Sequence, residues 1–309
     1  MEIISSFSQL HKFSKPCVIA LGTFDGLHRG HVDIIEAARL EALSSGALLA
    51  VFTFQNHPAT YIRPDLVPPA LITSGARHKA FEKLGVDVLL EVPFDEELCF
   101  MSPEDFVKNL REVGFSALVI GDNFTYGAYG KGNKESLEAS SKAQGFKLIV
   151  RSLVRDGDTT ISSTVIRKLI LSGTVREANR LLGYQYALTG KVVHGLKRGR
   201  TIGVPTANLE LANVKLAIPQ AGAYAVLVDV AGKIYQGMAN VGDNPTFSDV
   251  LSKRLEVNIF EFAEDNDGKE ISIIFVEMVR GEIKFSSLEA LKDQLAKDKI
   301  SCKKILSQL

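Results

Sequence analysis

The spacing of apolar residues changes once along this chain, and that change limits what the chain can fold into. Before Gly183, short apolar runs alternate with segments of helical period. Residues 18–21, 47–54, 87–92, 116–120 and 146–152 read as buried strands, because they are continuous apolar runs bounded by turn signals. Between them, residues 31–43 bring Val32, Ile35, Ala38 and Leu40 on or near one helical face. Residues 77–84 read as a helix stopping at Gly85. Ser102 opens another, with Pro103 at its first position and Asp105 in its first turn. Strands separated by helices imply βαβ units and a mostly parallel sheet.

Residues 162–171 read as a short helix closed by Gly173, and Thr174 with Glu177 reads as a capping box for a helix ending at Gly183. Beyond it the chain turns strand-rich, at residues 187–193, 224–230, 233–239, 255–260 and 271–279. Turn signals at Ala231-Gly232 and Asn266-Asp267-Gly268 separate these runs, which suggests a small antiparallel barrel. A last helix starts near Ser286, with Leu288, Leu291 and Leu295 as its apolar stripe. The expected fold class is therefore α/β plus β, in two domains, 1–184 and 185–309.

Composition removes several function classes. The chain has 309 residues, 46% of them hydrophobic and 23% charged. That is enough apolar surface to offset the entropy of ordering. Lys+Arg and Asp+Glu both number 36, which supplies no basic footprint for nucleic acid. Cys17, Cys99 and Cys302 fit neither a disulfide framework nor a paired-cysteine metal site. The N-terminus lacks a signal-peptide pattern. The longest apolar run, at 47–52, is far shorter than a helix that spans a bilayer. A cytoplasmic protein without membrane or nucleic-acid partners is expected, with its oligomeric state left open.

Three segments carry chemistry in the first half. Leu21-Gly22-Thr23-Phe24-Asp25-Gly26-Leu27-His28-Arg29-Gly30-His31 joins the first strand to the first helix, where an open parallel sheet binds ligands. Its glycines allow close backbone approach, and the helix start offers N–H groups to an anion. His28 and His31 are three apart and can point to one side. Alone, such a pair is also compatible with a glycine-rich turn bearing two surface histidines. Ser162, Ser163 and Thr164 open the second segment, with Arg167 one turn on, able to reach the same anion. The third, Gly121-Asp122-Asn123-Phe124-Thr125-Tyr126-Gly127, directly follows the fourth strand.

In the second half, Gly195, Gly199 and Gly203 frame Lys197, Arg198 and Arg200, a flexible basic loop able to wrap polyphosphate. Pro205 then forces extended backbone, which sets Thr206 and Asn208 on one face. Their oxygens suit Mg²⁺, a hard cation.

The first segment resembles the GxFDGxHxGH signature of nucleotidyltransferases with an HxGH motif, and ISSTVIR resembles their second phosphate motif. The 121–127 segment resembles prokaryotic FAD synthetases. GRTIGVPTANL is similar to the signature of riboflavin kinases, as are Ala239–Phe247, Leu255-Glu256-Val257-Asn258-Ile259 and Arg280–Phe285 to later kinase segments. Together they identify the chain as resembling the prokaryotic bifunctional riboflavin kinase/FAD synthetase family.

That resemblance implies a Rossmann-like nucleotidyltransferase domain, then a kinase barrel with a C-terminal helix. It implies that ATP phosphorylates riboflavin to FMN in the barrel, and that a second ATP adenylylates FMN to FAD in the first domain. It implies His28, His31, Arg167 and Glu256 as catalytic. Gly22, Phe24, Asp25, Gly26, Gly30, Asn123, Ser162, Ser163, Thr164, Gly195, Lys197, Arg200 and Gly203 would bind ATP or its phosphates. Phe124, Tyr126, Asn244, Arg280 and Phe285 would lie against flavin, and Thr206 and Asn208 would hold Mg²⁺.

Two departures fall near the expected flavin side of the first site: Asn56 stands where the family has Pro, and His78 where a Glu precedes the Lys. A third, at 261–268, replaces a turn with a turn. The alternatives are a single-activity enzyme with one degenerate domain and a non-catalytic flavin or nucleotide sensor. Retention of His28, His31, Thr206, Asn208 and Glu256 speaks against both.

Overall fold

The structure is a computed structural model and describes residues 1–193, 205–211, 215–243, 253–262 and 266–309. The chain divides into two compact units, Met1–Ser163 and Thr164–Leu309.

The first unit is built on six parallel strands: β1 (Glu2–Ile4), β2 (Cys17–Leu21), β3 (Leu48–Phe54), β4 (Val88–Val92), β5 (Phe115–Gly121) and β6 (Lys147–Arg151), ordered β1-β4-β3-β2-β5-β6. β2 and β4 are buried at every position, as strands covered on both faces must be. β1 is an addition to the expected strands. It is too short to show a period, and only pairing with β4 reveals it. Helix α1 (Arg29–Ser45) buries Ile35, Ala38 and Ala42. Leu40 is 56% exposed. Two positions beyond Ala38, a helix has turned past its opposite side. The short helices α2 (Ala59–Ile62), α3 (Ser74–Lys83), α4 (Glu96–Phe100), α5 (Pro103–Arg111) and α6 (Lys134–Gln144) complete this unit. The expected Ser102 cap of α5 forms, its hydroxyl accepting from Asp105 N at 3.0 Å.

From β2 the chain steps outward through β3 and β4, then returns to the other side of β2 for β5 and β6. The order therefore reverses between β2 and β5, and ligands of open α/β sheets bind outside the strand ends at such a point.

A two-stranded hairpin, β7 (Arg155–Asp156) and β8 (Thr159–Thr160), leads to α7 (Ser163–Leu171) and α8 (Val175–Leu182). The capping box expected at Thr174 does not form. Its backbone sits at ψ 53, out of the extended region a cap needs. Its hydroxyl bonds Ser172 Oγ at 3.1 Å instead. α8 is fixed to the strands that follow by Asn179, which donates to Phe275 O at 2.8 Å and accepts from Tyr186 N at 2.7 Å.

Those strands form a closed antiparallel barrel: β9 (Ala187–Val193), β10 (Ala207–Leu211), β11 (Gly222–Val230), β12 (Lys233–Asp243), β13 (Lys253–Ile259) and β14 (Glu270–Gly281), joined in the order β10-β13-β12-β11-β14-β9 with β9 paired to β10. Helix α9 (Leu288–Leu306) packs on its outer face, where Cys302 and Leu306 meet Ala225, Met238 and Val276. It starts near Ser286, as expected, with Ser287 as its cap. Leu295 packs on this cluster, whereas Leu288 is 57% exposed in the first turn. Among the described residues no helix is long and apolar enough to cross a membrane.

Candidate active sites

In the first unit, Gly22 follows β2 and the chain turns sharply through Phe24, Gly26 and Leu27, which have φ of 48, 83 and 38°. Positive φ in bulky Phe24 and Leu27 is strain that the surroundings must hold, and such strain gathers at functional sites. Phe24 is wholly buried, edge-on to Phe81 and to His31. Asp25 locks the turn from both sides. Its Oδ1 accepts from Leu71 N at 2.9 Å, and its carbonyl accepts from the Ser163 hydroxyl at 2.8 Å. A side chain at Gly26 would also strike Leu71 at 2.8 Å.

His28 is the N-cap of α1, its Nδ1 accepting from His31 N at 3.3 Å. Because Nδ1 accepts, neutral His28 carries its proton on Nε2, which makes that atom a donor. The His28 and His31 rings stack at 3.6 Å and 18°. A Cβ at Gly30 would press on the His28 imidazole at 3.3 Å, so the small residue keeps the stack in place. Burial pushes His28 down to about 4, and burial, followed by the charge of His28, holds His31 well below the usual histidine range. Both are therefore neutral at neutral pH. They offer N–H donors rather than fixed positive charge, and His31 Nδ1 is buried without a partner.

Asn123 and Phe124 follow β5, the neighbour of β2 at the reversal point, so this loop and the histidine turn leave adjacent strand ends. Asn123 is exposed and Phe124 half-buried. Tyr126 is buried, stacked on Phe124 at 5.9 Å and bonded to Ser136 Oγ at 3.0 Å, so it supports Phe124 from within the core. Ser162 is half-buried, Thr164 exposed, and Arg167 lies buried one turn beyond Ser163 on α7.

Sequence reasoning missed the frame behind this turn. Buried Glu91 on β4 receives Arg77 Nη2 at 2.5 Å and faces His78 Nε2 at 2.7 Å. Arg77 also donates to Thr23 O and Phe54 O, tying the ends of β2 and β3 together. His78 thus has a local partner in Glu91. Asn56 has one too: its amide donates to Phe94 O at 3.0 Å and accepts from Phe94 N at 2.8 Å. Proline could make neither bond.

The second site lies on the outer face of the barrel. Strand register places Asn208 opposite Glu256, Glu256 opposite Asn240, Asn240 opposite Ala223 and Ala223 opposite Arg280. Directly paired residues share a sheet face, so these residues form one row across the strands. The row floors a cavity of 320 Å³. Its lining includes the polar side chains Thr206, Asn208, Arg254, Glu256 and Asn258 and the apolar ones Met238, Ile283, Phe285, Leu291 and Leu295. On β13 the alternate residues Leu255 and Val257 are buried on the other face, so the two-residue period of a strand aims Arg254, Glu256 and Asn258 at the cavity.

Thr206 Oγ1 lies 3.5 Å from Glu256 Oε2, and Asn258 donates to Pro205 O at 2.7 Å, holding the Thr206 segment against β13. Thr206, Asn208 and Glu256 therefore present a hydroxyl, an amide and a carboxylate oxygen together, a set that fits a hard divalent cation. Asp298, 1% exposed, accepts from Arg280 Nε at 2.9 Å and Gln294 Nε2 at 2.7 Å, while Arg280 lies 5.8 Å over Phe285. Gly195, Lys197, Arg200, Gly203 and Asn244 lie outside the described residues.

A strained glycine turn with paired histidines at the reversal point of a parallel sheet, followed by a barrel with an oxygen-lined cleft, defines a two-part nucleotide-using transferase. Comparison with known proteins makes this specific. The family model described as FAD synthetase matches residues 10–165, and that described as riboflavin kinase matches residues 182–306. The chain is 38% identical over 296 residues to the bifunctional riboflavin kinase/FMN adenylyltransferase of Bacillus subtilis, covering 94% of this chain and 93% of that one. It is 36% identical over 306 residues to that of Haemophilus influenzae, covering 96% and 97%. A crystal structure from Streptococcus pneumoniae, described as a macrolide-efflux protein, superposes with a TM-score of 0.90 at 32% identity, covering 97% of this chain and 98% of that one. The chain belongs to the bifunctional riboflavin kinase/FMN adenylyltransferase family, with the adenylyltransferase part first.

Proposed function

We infer that residues 185–309 phosphorylate riboflavin with ATP and that residues 1–184 transfer AMP from a second ATP to the resulting FMN. The observation that carries the kinase assignment is the cavity beside α9. Its lining offers hydroxyl, amide and carboxylate groups from Thr206, Asn208 and Glu256 together with apolar surface that includes Phe285. An isoalloxazine ring suits the apolar surface and a ribityl chain would run toward the polar groups. Glu256 then accepts the proton of the terminal ribityl hydroxyl as its oxygen attacks the γ-phosphorus of ATP and ADP departs. Thr206 and Asn208 are the residues that would hold Mg²⁺, which when bound neutralises polyphosphate charge. Arg280, held by Asp298, and Phe285 would bound the flavin.

In the first unit, a phosphate oxygen of FMN attacks the α-phosphorus of ATP and pyrophosphate leaves. Neutral His28 donates from Nε2, and His31 beside it, to phosphate oxygens as negative charge shifts onto them. The start of α1 adds backbone N–H groups and the positive end of its dipole. Ser162 and Ser163 would hold the departing pyrophosphate, and Asn123 and Phe124 the FMN side. Free thiols at Cys17, Cys99 and Cys302 suit a reducing, cytoplasmic setting.

The test is chromatography of flavins after incubation with riboflavin, ATP and Mg²⁺, and separately with FMN, ATP and Mg²⁺. FMN followed by FAD in the first mixture is expected. FAD from the second mixture alone would leave the barrel without kinase activity.

A further inference from the structure

The oxygens that would hold a metal already hold a cation of the chain's own. Arg254 donates from Nε and Nη2 to Asn208 Oδ1 at 3.0 and 2.9 Å, and its Nε lies 2.6 Å from Glu256 Oε1. One guanidinium therefore satisfies the amide oxygen and one carboxylate oxygen at once. The arrangement follows from register. Arg254 and Glu256 are two apart on β13 and share a face, and Asn208 on β10 is directly opposite Glu256.

We propose that Arg254 is an internal stand-in for the divalent cation: it holds Asn208 and Glu256 in place while the kinase site lacks metal, and is displaced when a metal-nucleotide enters. The proposal rests on the assignment of Thr206, Asn208 and Glu256 as the metal and base site. Two features favour exchange over permanent pairing. The Arg254 side chain is 43% exposed. An ion pair this open to water is weak, so a doubly charged cation with a polyphosphate can replace it. Glu256 retains its second oxygen toward Thr206, so the donor set stays aligned while the guanidinium leaves. Displacement also frees the carboxylate oxygen that the pair engages. Coupling between metal-nucleotide entry and release of the base is thus built into one strand.

The test uses the full chain, Mn²⁺ as the probe and electron paramagnetic resonance of free Mn²⁺ as the readout, with and without ADP. Asn208→Ala identifies the barrel component, since Mn²⁺ bound in the first unit is common to all variants. Arg254→Ala removes the competitor and is expected to tighten the barrel component about three- to tenfold, the range of a lost exposed ion pair with its hydrogen bonds. Arg254→Lys, a point charge that cannot fork onto both oxygens, is expected to fall between. Binding of ADP without metal is expected to be unchanged by either variant. Unchanged or weaker Mn²⁺ binding in Arg254→Ala overturns the proposal, as does weaker metal-free ADP binding, which would make Arg254 a phosphate ligand. If Asn208→Ala removes no component, the metal assignment itself fails, a result separate from failure of the stand-in. Arg254 is exposed, so its replacement leaves the buried face of β13 intact.

Discussion

The histidine turn and the barrel cleft, the two sites proposed to handle polyphosphate, are built by opposite means. In the first unit the polar groups are neutral and largely buried. His28 and His31 are stacked and uncharged, His31 sits edge-on to Phe24, and the turn is held by bonds to the Asp25 carboxylate and carbonyl. In the barrel the groups include a charged pair, Arg254 and Glu256, are half-exposed and are borne on side chains of facing strands, with the neutral Asn208 amide joined to Arg254. The first site is preorganised by backbone strain and needs no internal counter-charge. The second is preorganised by cross-strand register and needs one.

This contrast yields predictions, the largest first. Glu256→Ala should lower FMN formation by about 10²–10⁴-fold, the usual contribution of a general base, while FMN-to-FAD conversion persists. A kinase rate that survived would remove Glu256 as the base. His31→Ala should cut FAD formation by about 10²–10³-fold, as loss of a transition-state donor does, and leave riboflavin phosphorylation intact when flavins are resolved by chromatography.

The neutral histidines also make the first unit acid-sensitive. His28 falls from 6.5 to about 4 on folding. Below pH 6.5, the unfolded chain therefore binds a proton that the folded one refuses. Its contribution is fully present above 6.5 and is lost as the pH drops toward 4. In all it amounts to at most about 3 kcal/mol. The melting midpoint of the first unit should fall across that window, and His28→Asn should flatten the slope. An unaltered slope in the variant would show that His28 is not the group responsible. The smallest effect concerns Asn56. Its replacement by Ala removes two bonds to Phe94. That should cost about 1–3 kcal/mol, seen as a lower melting midpoint with kinase turnover unchanged.

The two sites also differ in how far they could be read beforehand. Residues 22–31 are contiguous, so the turn, the helix start and both histidines fell within one motif. The pairing of His28 Nδ1 with His31 N follows from that spacing, but their neutrality does not, since it depends on burial in the folded unit. The barrel site joins residues far apart in the chain, Thr206 to Glu256. Only resemblance to kinase segments linked them, because no local period predicts that Asn208 lies opposite Glu256. Arg254 could have been found: once residues 255–260 are taken as a strand, alternation sets Arg254 on the face of Glu256. The Arg77–Glu91–His78 frame could not, because these groups on separate elements meet only after β4 and α3 pack. Strand identities held well since buried parallel strands are uninterrupted apolar runs. The cap at Thr174 failed because a capping residue depends on backbone angles that composition does not report.

The central claim is that two independent sites act in sequence on one flavin. It is tested most directly by mixing Glu256→Ala with His31→Ala and supplying riboflavin, ATP and Mg²⁺. Alone, the first variant should leave riboflavin largely unconverted and the second should stop at FMN. Together they should produce FAD, because FMN made by one is used by the other. A mixture that yields no FAD, with each variant defective in both reactions, would contradict the assignment of one activity to each half.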